Sequence, residues 1–386
     1  MSDLDAFRAE IRAWLEENCP SEMREPAREE DDACWGGRNF KFKNEAQKQW
    51  LERCVAKGYT VPEWPKAYGG AGMSPAEAKV WREEMHRINA RPPLSSFGIW
   101  MLGPALLKFG TEEQKVHYLN QIARGEIRWC QGYSEPGSGS DLVSLQTFGE
   151  DKGDHWVVNG QKIWTSYANK ADWIFCLVRT DKGNKYQGIS FLLFDMTSPG
   201  VSTKPILLIS GSSPFCETFF DNVKVPKHQI VGELNRGWDV AKYLLGHERE
   251  MISGAGGNDR LNTIGAVLNR AGLEDPLLRA ELAQFDVDAL AFSAMGEKFL
   301  DEIKVGKAHP AQPNMMKYAG TELNKRRYEL LMAGGGSASL EWESEASDGG
   351  ARARSWLRTK ANSIEGGTSE VMLNVISKRI LDLPGA

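Results

Sequence analysis

Apolar residues near the start of the chain fall at Leu4, Phe7, Ile11, Trp14 and Leu15, with charged residues between them. That spacing puts one apolar stripe on a helix, and Pro20 marks its end. The polar, charge-rich stretch from Ser21 to Arg38 reads as loop, and helical periodicity returns from Phe42 to Ala56. Pro62, Pro65 and the glycines Gly69, Gly70 and Gly72 then break the pattern. Ser74, Pro75 and Glu77 supply an N-cap, a proline suited to a first helical turn and the acid of a capping box. Thr111 with Gln114 offers a second box, for a helix through Ile122.

Near Trp129 the period changes. Trp156, Val157 and Val158, then Asn159-Gly160, then a run ending in Ile163, Trp164 and Thr165 predict a β-hairpin on a type I′ turn. Trp173 to Arg179, Ile189 to Asp195 and Cys216 to Val225 read as further strands, rich in β-branched and aromatic residues. Short strands at such spacing suggest a compact antiparallel barrel or sandwich. After Gly232 helical pattern resumes. Trp238, Ala241, Leu244 and Leu245 share a stripe, and amphipathic stretches run from Leu277 to Ile303, Met315 to Met332 and Ser369 to Leu381. Helices, then strands, then helices imply segregated domains, not an alternating α/β sheet.

Composition adds exclusions. The 386 residues are 41% hydrophobic and 26% charged, with a formal net charge of −5, which gives no sign of a nucleic-acid partner or an anionic membrane. The six cysteines form no C-x-x-C pair and attract no histidine cluster, so a zinc site or redox dithiol is not expected. The charged opening residues leave no room for a secretory apolar core, and no apolar run reaches membrane-span length; the chain reads as cytoplasmic. Neither GSGSDL at Gly137 nor GAGGND at Gly254 has the third glycine of a dinucleotide fingerprint. No P-loop or nucleophile elbow occurs, and HEREM at His247 puts Met251 where a zinc-binding helix needs its second histidine.

The most informative stretch is WCQGYSEPGSGSDL, Trp129 to Leu142: a strand running into a Gly/Pro/Ser loop. Such a loop can bring backbone N–H groups and hydroxyls against a phosphate or a polar ring edge, and ordinary surface turns share its composition. YSEPGSGSD at Tyr133 to Asp141, followed by KIWTSYANKADW at Lys162 to Trp173, resembles the two central motifs of the acyl-CoA dehydrogenase family. WPKAYGGAG, FGTEEQK and the closing IEGGTSEVMLNVISKRIL resemble its other segments, in family order across nearly the whole chain. Within the family, QGYSEPGSGSDL with GHERE and IEGGTSE is similar to the large subunits of pimeloyl-CoA dehydrogenases and to steroid side-chain acyl-CoA dehydrogenases.

The resemblance implies a multidomain α+β fold: a helical N-domain (1–128), a middle antiparallel β-barrel (129–233) and a C-terminal four-helix bundle (234–386). It implies FAD held without a Rossmann unit. Gln131, Tyr133, Ser134, Trp164 and Ser166 then touch the flavin end, with Trp164 against the ring face, and Gly139 is a cofactor neighbour as well. Gly139 and Ser140 line the thioester entrance, and Arg249 lies on the substrate side. Gly366 supplies a backbone N–H to the thioester oxygen.

The family reaction needs a carboxylate base. An α-proton must leave as hydride departs the β-carbon, in one aligned and water-poor geometry. Most relatives place the base just before Gly-Thr, where this chain has Gly366, and Glu365 is one residue early. A minority take it from the first bundle helix, and GHERE puts Glu248 there. On residue pattern alone Glu248 is also ordinary helical surface texture. The Arg-x-x-Phe-Gly motif of many homotetrameric relatives is missing; the region reads FLDEIKVGKAHPAQPNMMK. That departure suggests a heteromer with a paralogous subunit, the alternative being a homo-oligomer with other phosphate contacts. Catalysis would use an electron-transfer flavoprotein as acceptor. A non-catalytic subunit and a flavin oxidase on the same fold are the competing functions.

Overall fold

The computed structural model describes residues 3–27, 30–252, 275–347 and 349–384, except for the side chains of residues 246–252 and of Lys304. The chain divides into two compact units. One comprises Met1–Pro205 and Pro214–Leu244, the other Ile206–Ser213 and Leu245–Ala386.

The first unit opens with three helices, Asp3–Asn18, Glu45–Lys57 and Pro75–Arg87. Their apolar stripes meet in a core of Ile11, Leu15, Trp50, Cys54 and Trp81, where the Trp50 indole donates to the Arg91 carbonyl at 2.9 Å. The caps read from sequence form. Ser74 accepts from the Glu77 N–H while Glu77 reaches back, and Thr111 and Gln114 do the same. The stretch between Ser21 and Arg38, expected as loop, contains two short 3-10 turns at Ser21–Arg24 and Glu30–Asp32. Two wide π turns, Gly98–Leu102 and Lys115–Leu119, interrupt the later helical runs.

Seven strands follow: β1 Trp129–Gly132, β2 Phe148–Asp151, β3 His155–Ser166, β4 Trp173–Arg179, β5 Ile189–Asp195, β6 Val201–Ile206 and β7 Phe215–Pro226. They form one curled sheet in the order β1-β4-β2-β3-β7-β6, with β5 also paired to β4. Most pairs are antiparallel, but β1 and β2 run parallel to β4. Strands β4 and β5 are buried almost end to end, and Ile174, Cys176, Val178, Leu192 and Phe194 lie at the centre of the sheet core.

The expected hairpin at Asn159-Gly160 does not form. β3 runs unbroken through both residues, paired along its length with β7. Gly160 instead marks a register shift. Its φ is +148°, and a Cβ there would stand 2.5 Å from the Thr147 hydroxyl oxygen. The glycine is required for close approach by the chain entering β2, a demand that a two-residue turn signal cannot be told from in sequence.

The second unit is helical, with Pro276–Lys304, Gln312–Gly334, Ala351–Thr359 and Ser369–Arg379. Phe285 with Leu330 and Leu331, and Phe292 and Phe299 with Met316, join its two long helices. Helical segments before and after a curled sheet in the chain give the mixed α+β class expected. No described helix is long and apolar enough to cross a membrane, and no described cluster of His, Cys, Asp and Glu could hold a metal. All six cysteines are buried free thiols.

One polar cluster fastens the N-terminal helices. Glu84 is buried and accepts from Arg12 at 2.9 Å, Arg87 at 2.7 Å and Arg8 at 3.1 Å. The hydrogen bond from Arg12, aided by those from Arg87 and Arg8, outweighs burial and holds the carboxyl down at about 2. A depressed folded-state pKa stabilises above the ordinary value and is lost on acidification. Stability should therefore fall as pH drops from 4.5 towards about 2, and Glu84→Gln should flatten that stretch of the urea-midpoint profile. The variant should cost about 1–3 kcal/mol at neutral pH. An unchanged acid limb in Glu84→Gln would show that the cluster contributes nothing.

Candidate active site

The glycine-rich loop after β1 is tied to β3 by a buried ion pair. Lys162 Nζ lies 2.8 Å from Glu135 Oε1, with the two side chains 0% and 6% exposed. The same ammonium donates to the Tyr133 carbonyl at 3.1 Å, and the Ile163 N–H donates to the Ser134 carbonyl at 2.8 Å. Glu135 also accepts the N–H groups of Gln146 at 2.6 Å and Thr147 at 2.9 Å. Burial alone would push the Glu135 carboxyl up. The Lys162 charge and these donors overcome it, and the carboxyl sits below its ordinary value. Glu135 and Ser138 exchange backbone hydrogen bonds at 3.0 Å, so Pro136-Gly137 forms a tight turn. The Ser138 hydroxyl closes the loop onto the Asp141 carbonyl at 2.8 Å.

Just past Lys162 the strand bulges. Pairing with β7 shifts between Lys162 and Thr165, and Trp164 adopts φ +60°. A bulky residue in the left-handed region is uncommon and costs on the order of 1 kcal/mol. The surrounding pairs and the buried Thr165 hold it there. The result is an indole 53% exposed, braced edge-on by Phe215 at 6.1 Å. Tyr167, three residues on, is left-handed as well, at φ +53°.

The residues expected from the motifs lie on β1, on the loop that follows it and on the end of β3. Gln131 lies on β1 opposite Phe175, and Tyr133 is buried with its ring perpendicular to those of Phe175 and Phe191. Ser134 is half-buried beside Ile163, and Ser166 ends β3 opposite Phe215. Gly139 and Ser140 are exposed, and a Cβ placed on Gly137 or Gly139 would meet nothing within 4 Å. The Thr165 hydroxyl is buried with no hydrogen-bond partner among the described residues. An open aromatic face beside an uncrowded glycine loop suits a flat heteroaromatic group such as a flavin.

In the second unit, Gly366 and Gly367 have φ +63° and +100°. Their loop is fastened by Lys317, whose buried ammonium donates to the Asn362 carbonyl at 2.9 Å and the Gly367 carbonyl at 2.7 Å. Glu365 is engaged within the unit: Arg358 donates to it at 2.8 and 3.3 Å, and Asn362 at 2.5 Å. Glu248 and Arg249 lie on the helix Gly237–Ile252, and their side chains fall outside the described residues. Lys162, Glu135 and Lys317 were missed as organising residues. The available signal was a charged residue inside an otherwise strand-like or apolar stretch.

The chain belongs to the acyl-CoA dehydrogenase family, an enzyme class of flavin-dependent oxidoreductases. It matches the family models for the N-terminal domain over residues 1–126, the middle domain over 130–223 and the C-terminal domain over 235–381. It is 34% identical to acyl-CoA dehydrogenase IpdE1 of Mycobacterium tuberculosis, across 100% of this chain and 99% of that protein. Among solved structures it is similar to the Tcur3481-Tcur3483 steroid ACAD at TM-score 0.81 and 31% identity, covering 100% of this chain and 99% of the other. It is similar also to the ChsE4-ChsE5 complex from Mycobacterium tuberculosis, at TM-score 0.77 and 28% identity, covering 100% and 99%.

Removing one partner of a buried ion pair strands the other charge. Lys162→Met should therefore destabilise the protein by about 3–5 kcal/mol, whereas Glu135→Gln combined with Lys162→Met should recover much of that loss. Urea denaturation of the single and double variants measures both. A single variant within about 1 kcal/mol of wild type would rule out the pair as the anchor of the loop.

Proposed function

We propose that the chain carries out α,β-dehydrogenation of an acyl-CoA thioester, with FAD as its cofactor. The observation that carries this is the exposed Trp164 indole, presented by a strained bulge beside the anchored YSEPGSGSD loop. Membership of a flavin-dependent dehydrogenase family supports it.

Gln131, Tyr133, Ser134, Gly139, Trp164 and Ser166 would hold the cofactor, with Trp164 against the ring face. When bound, FAD supplies the two-electron acceptor for the hydride lost from the β-carbon. Glu248 takes the α-proton on its carboxylate. A backbone N–H at Gly366 steadies the negative charge that develops on the thioester oxygen, as a pre-set donor does in other enolising sites. Ser140 and Arg249 hold the substrate beyond the thioester.

Assigning the base to Glu248 is supported by the engagement of Glu365. A carboxylate gripped by a guanidinium fork and an amide is poorly placed to collect a proton from carbon. Relatives named as a steroid dehydrogenase and as a two-protein complex support two further readings. The acyl group is bulky and alicyclic or branched, and the chain works in a heteromer with a paralogous subunit. An electron-transfer flavoprotein would collect the electrons.

The test is a visible spectrum of the purified protein titrated with a panel of straight, branched and steroid-derived acyl-CoAs. Flavin absorbance should bleach with a substrate of the bulky class. Glu248→Gln should lower the bleaching rate by roughly 10²–10⁴-fold, and Glu365→Gln should leave it within about tenfold. The opposite ranking of the two variants would move the base to Glu365, and a protein that retains no flavin absorbance after incubation with FAD and removal of the excess, both alone and with its paralogous subunit, would end the dehydrogenase proposal.

A further inference from the structure

Beyond the tryptophan bulge the first unit contains a cavity of about 650 Å³, with Trp35, Phe40, Lys41, Arg128, Asn169 and Lys170 among its walls. That volume suits a small organic molecule. Arg128 is the unusual element. Its residue is only 7% exposed, and its Nη2 is buried with no hydrogen-bond partner among the described residues. Its guanidinium carbon lies 4.8 Å from the Trp35 ring centre and 5.1 Å from that of Tyr167. Those rings give a cation–π attraction but accept no N–H in the guanidinium plane. Burial draws the guanidinium below its ordinary value, against the attraction of Tyr167, Glu30 and Asp172.

Among the described residues the nearby acids have other partners. Asp172 Oδ2 accepts the backbone N–H groups of Arg128 at 2.8 Å and Arg38 at 3.0 Å. Glu30 is paired with Lys170 at 2.5 Å and Asp31 with Lys43 at 2.8 Å. Lys41 has no ion pair among the described residues and adds a second positive group to the wall. The chain holds this arrangement at some cost. Gly36 and Gly37 have φ +64° and +104°, and a Cβ on Gly37 would stand 2.8 Å from both Arg128 Cβ and Asp172 Oδ2. Gly37 thus lets the loop pass directly over Arg128, while Gly36 lets it pack against the Gly125 backbone.

A buried cation without a full set of acceptors is unfavourable unless something supplies them. We propose that this cavity binds an organic carboxylate with a flat apolar body, its carboxylate on the Arg128 fork and its body against Trp35 and Phe40. A planar carboxylate matches guanidinium geometry better than a tetrahedral anion does, and the aromatic walls favour an organic acid over an inorganic ion. Nothing in this assignment depends on the dehydrogenase chemistry.

The test is calorimetry on the purified, flavin-loaded protein with benzoate and 2-naphthoate, their matched carboxamides and inorganic phosphate. The titration is repeated with an acyl-CoA in excess, so that heat from a substrate site is removed. The acids should bind at least about tenfold more tightly than the carboxamides and than phosphate. Arg128→Met should lose at least about tenfold in acid affinity, Arg128→Lys should be intermediate, and Lys41→Gln should weaken binding by a few fold. Equal binding of acid and carboxamide, phosphate binding as tight as the acids, or no acid binding at millimolar concentration would each overturn the assignment. The acid–amide comparison needs no variant, so it stands even if Arg128→Met does not fold.

Discussion

The candidate site in the first unit depends on a lysine and a glutamate that meet inside the protein. Lys162 and Glu135 are 27 residues apart in sequence and almost wholly removed from solvent. Desolvating two charges is expensive, and mutual attraction offsets the cost only when the remaining donors and acceptors are also matched. Here most of them are: the carboxylate takes two backbone N–H groups as well as the ammonium, and two of the ammonium's three donors reach the carboxylate and a backbone carbonyl. The geometry leaves little freedom. Glu135 must open the Pro136-Gly137 turn and Lys162 must precede the bulge, so loop and bulge are fixed to one another. Trp164 can then be held in a backbone conformation that it would not choose alone.

The second unit repeats the device with different partners. Lys317 sits inside the Gln312–Gly334 helix and clamps two carbonyls of the loop that holds Gly366. A lysine ammonium has three donors and no acceptor, so once buried it gathers oxygens about itself. Backbone carbonyls serve as well as carboxylates for that purpose, and they leave the side chains of the loop free for other work. In the second unit the loop proposed for chemistry is thus positioned through its main chain, and in the first through the Glu135 side chain together with the Tyr133 and Ser134 carbonyls. That suits loops rich in glycine, which have few side chains to grip.

Much of the architecture was legible because it is written in periods. The stripe Leu4–Leu15, the caps at Ser74 and Thr111 and the apolar runs of β4 and β5 each announce one local conformation. The motifs YSEPGSGSD and KIWTS also lie on segments that the fold brings into contact, through Ile163 with Ser134 and Lys162 with Glu135. What escaped was set by contacts distant in sequence. Asn159-Gly160 has the composition of a turn, but the glycine serves an approach by Thr147, and only the folded sheet reveals that. The parallel placement of β1 and β2 against β4 is likewise a property of chain return, not of composition. Glu365 looked like a rival base by position; its grip by Arg358 and Asn362 arises from a helix end and a loop that sequence does not bring together.

The two arginine and lysine environments of the first unit can be set side by side. Lys162 and Arg128 are both cations buried in the same unit, and both belong to segments adjoining the central motifs. Lys162 has a carboxylate and a carbonyl. Arg128 has two aromatic faces and a neighbouring aspartate whose Oδ2 already serves two main-chain N–H groups. If burying positive charge served folding alone, both sites would be expected to close on acceptors, since an unmatched group weakens the fold and an apolar substitute would pack more cheaply. One site closes and the other faces a cavity walled by indole and phenyl rings. The difference separates a cation whose partners are built into the fold from one whose Nη2 has none among the described residues, which is where the bound carboxylate is proposed.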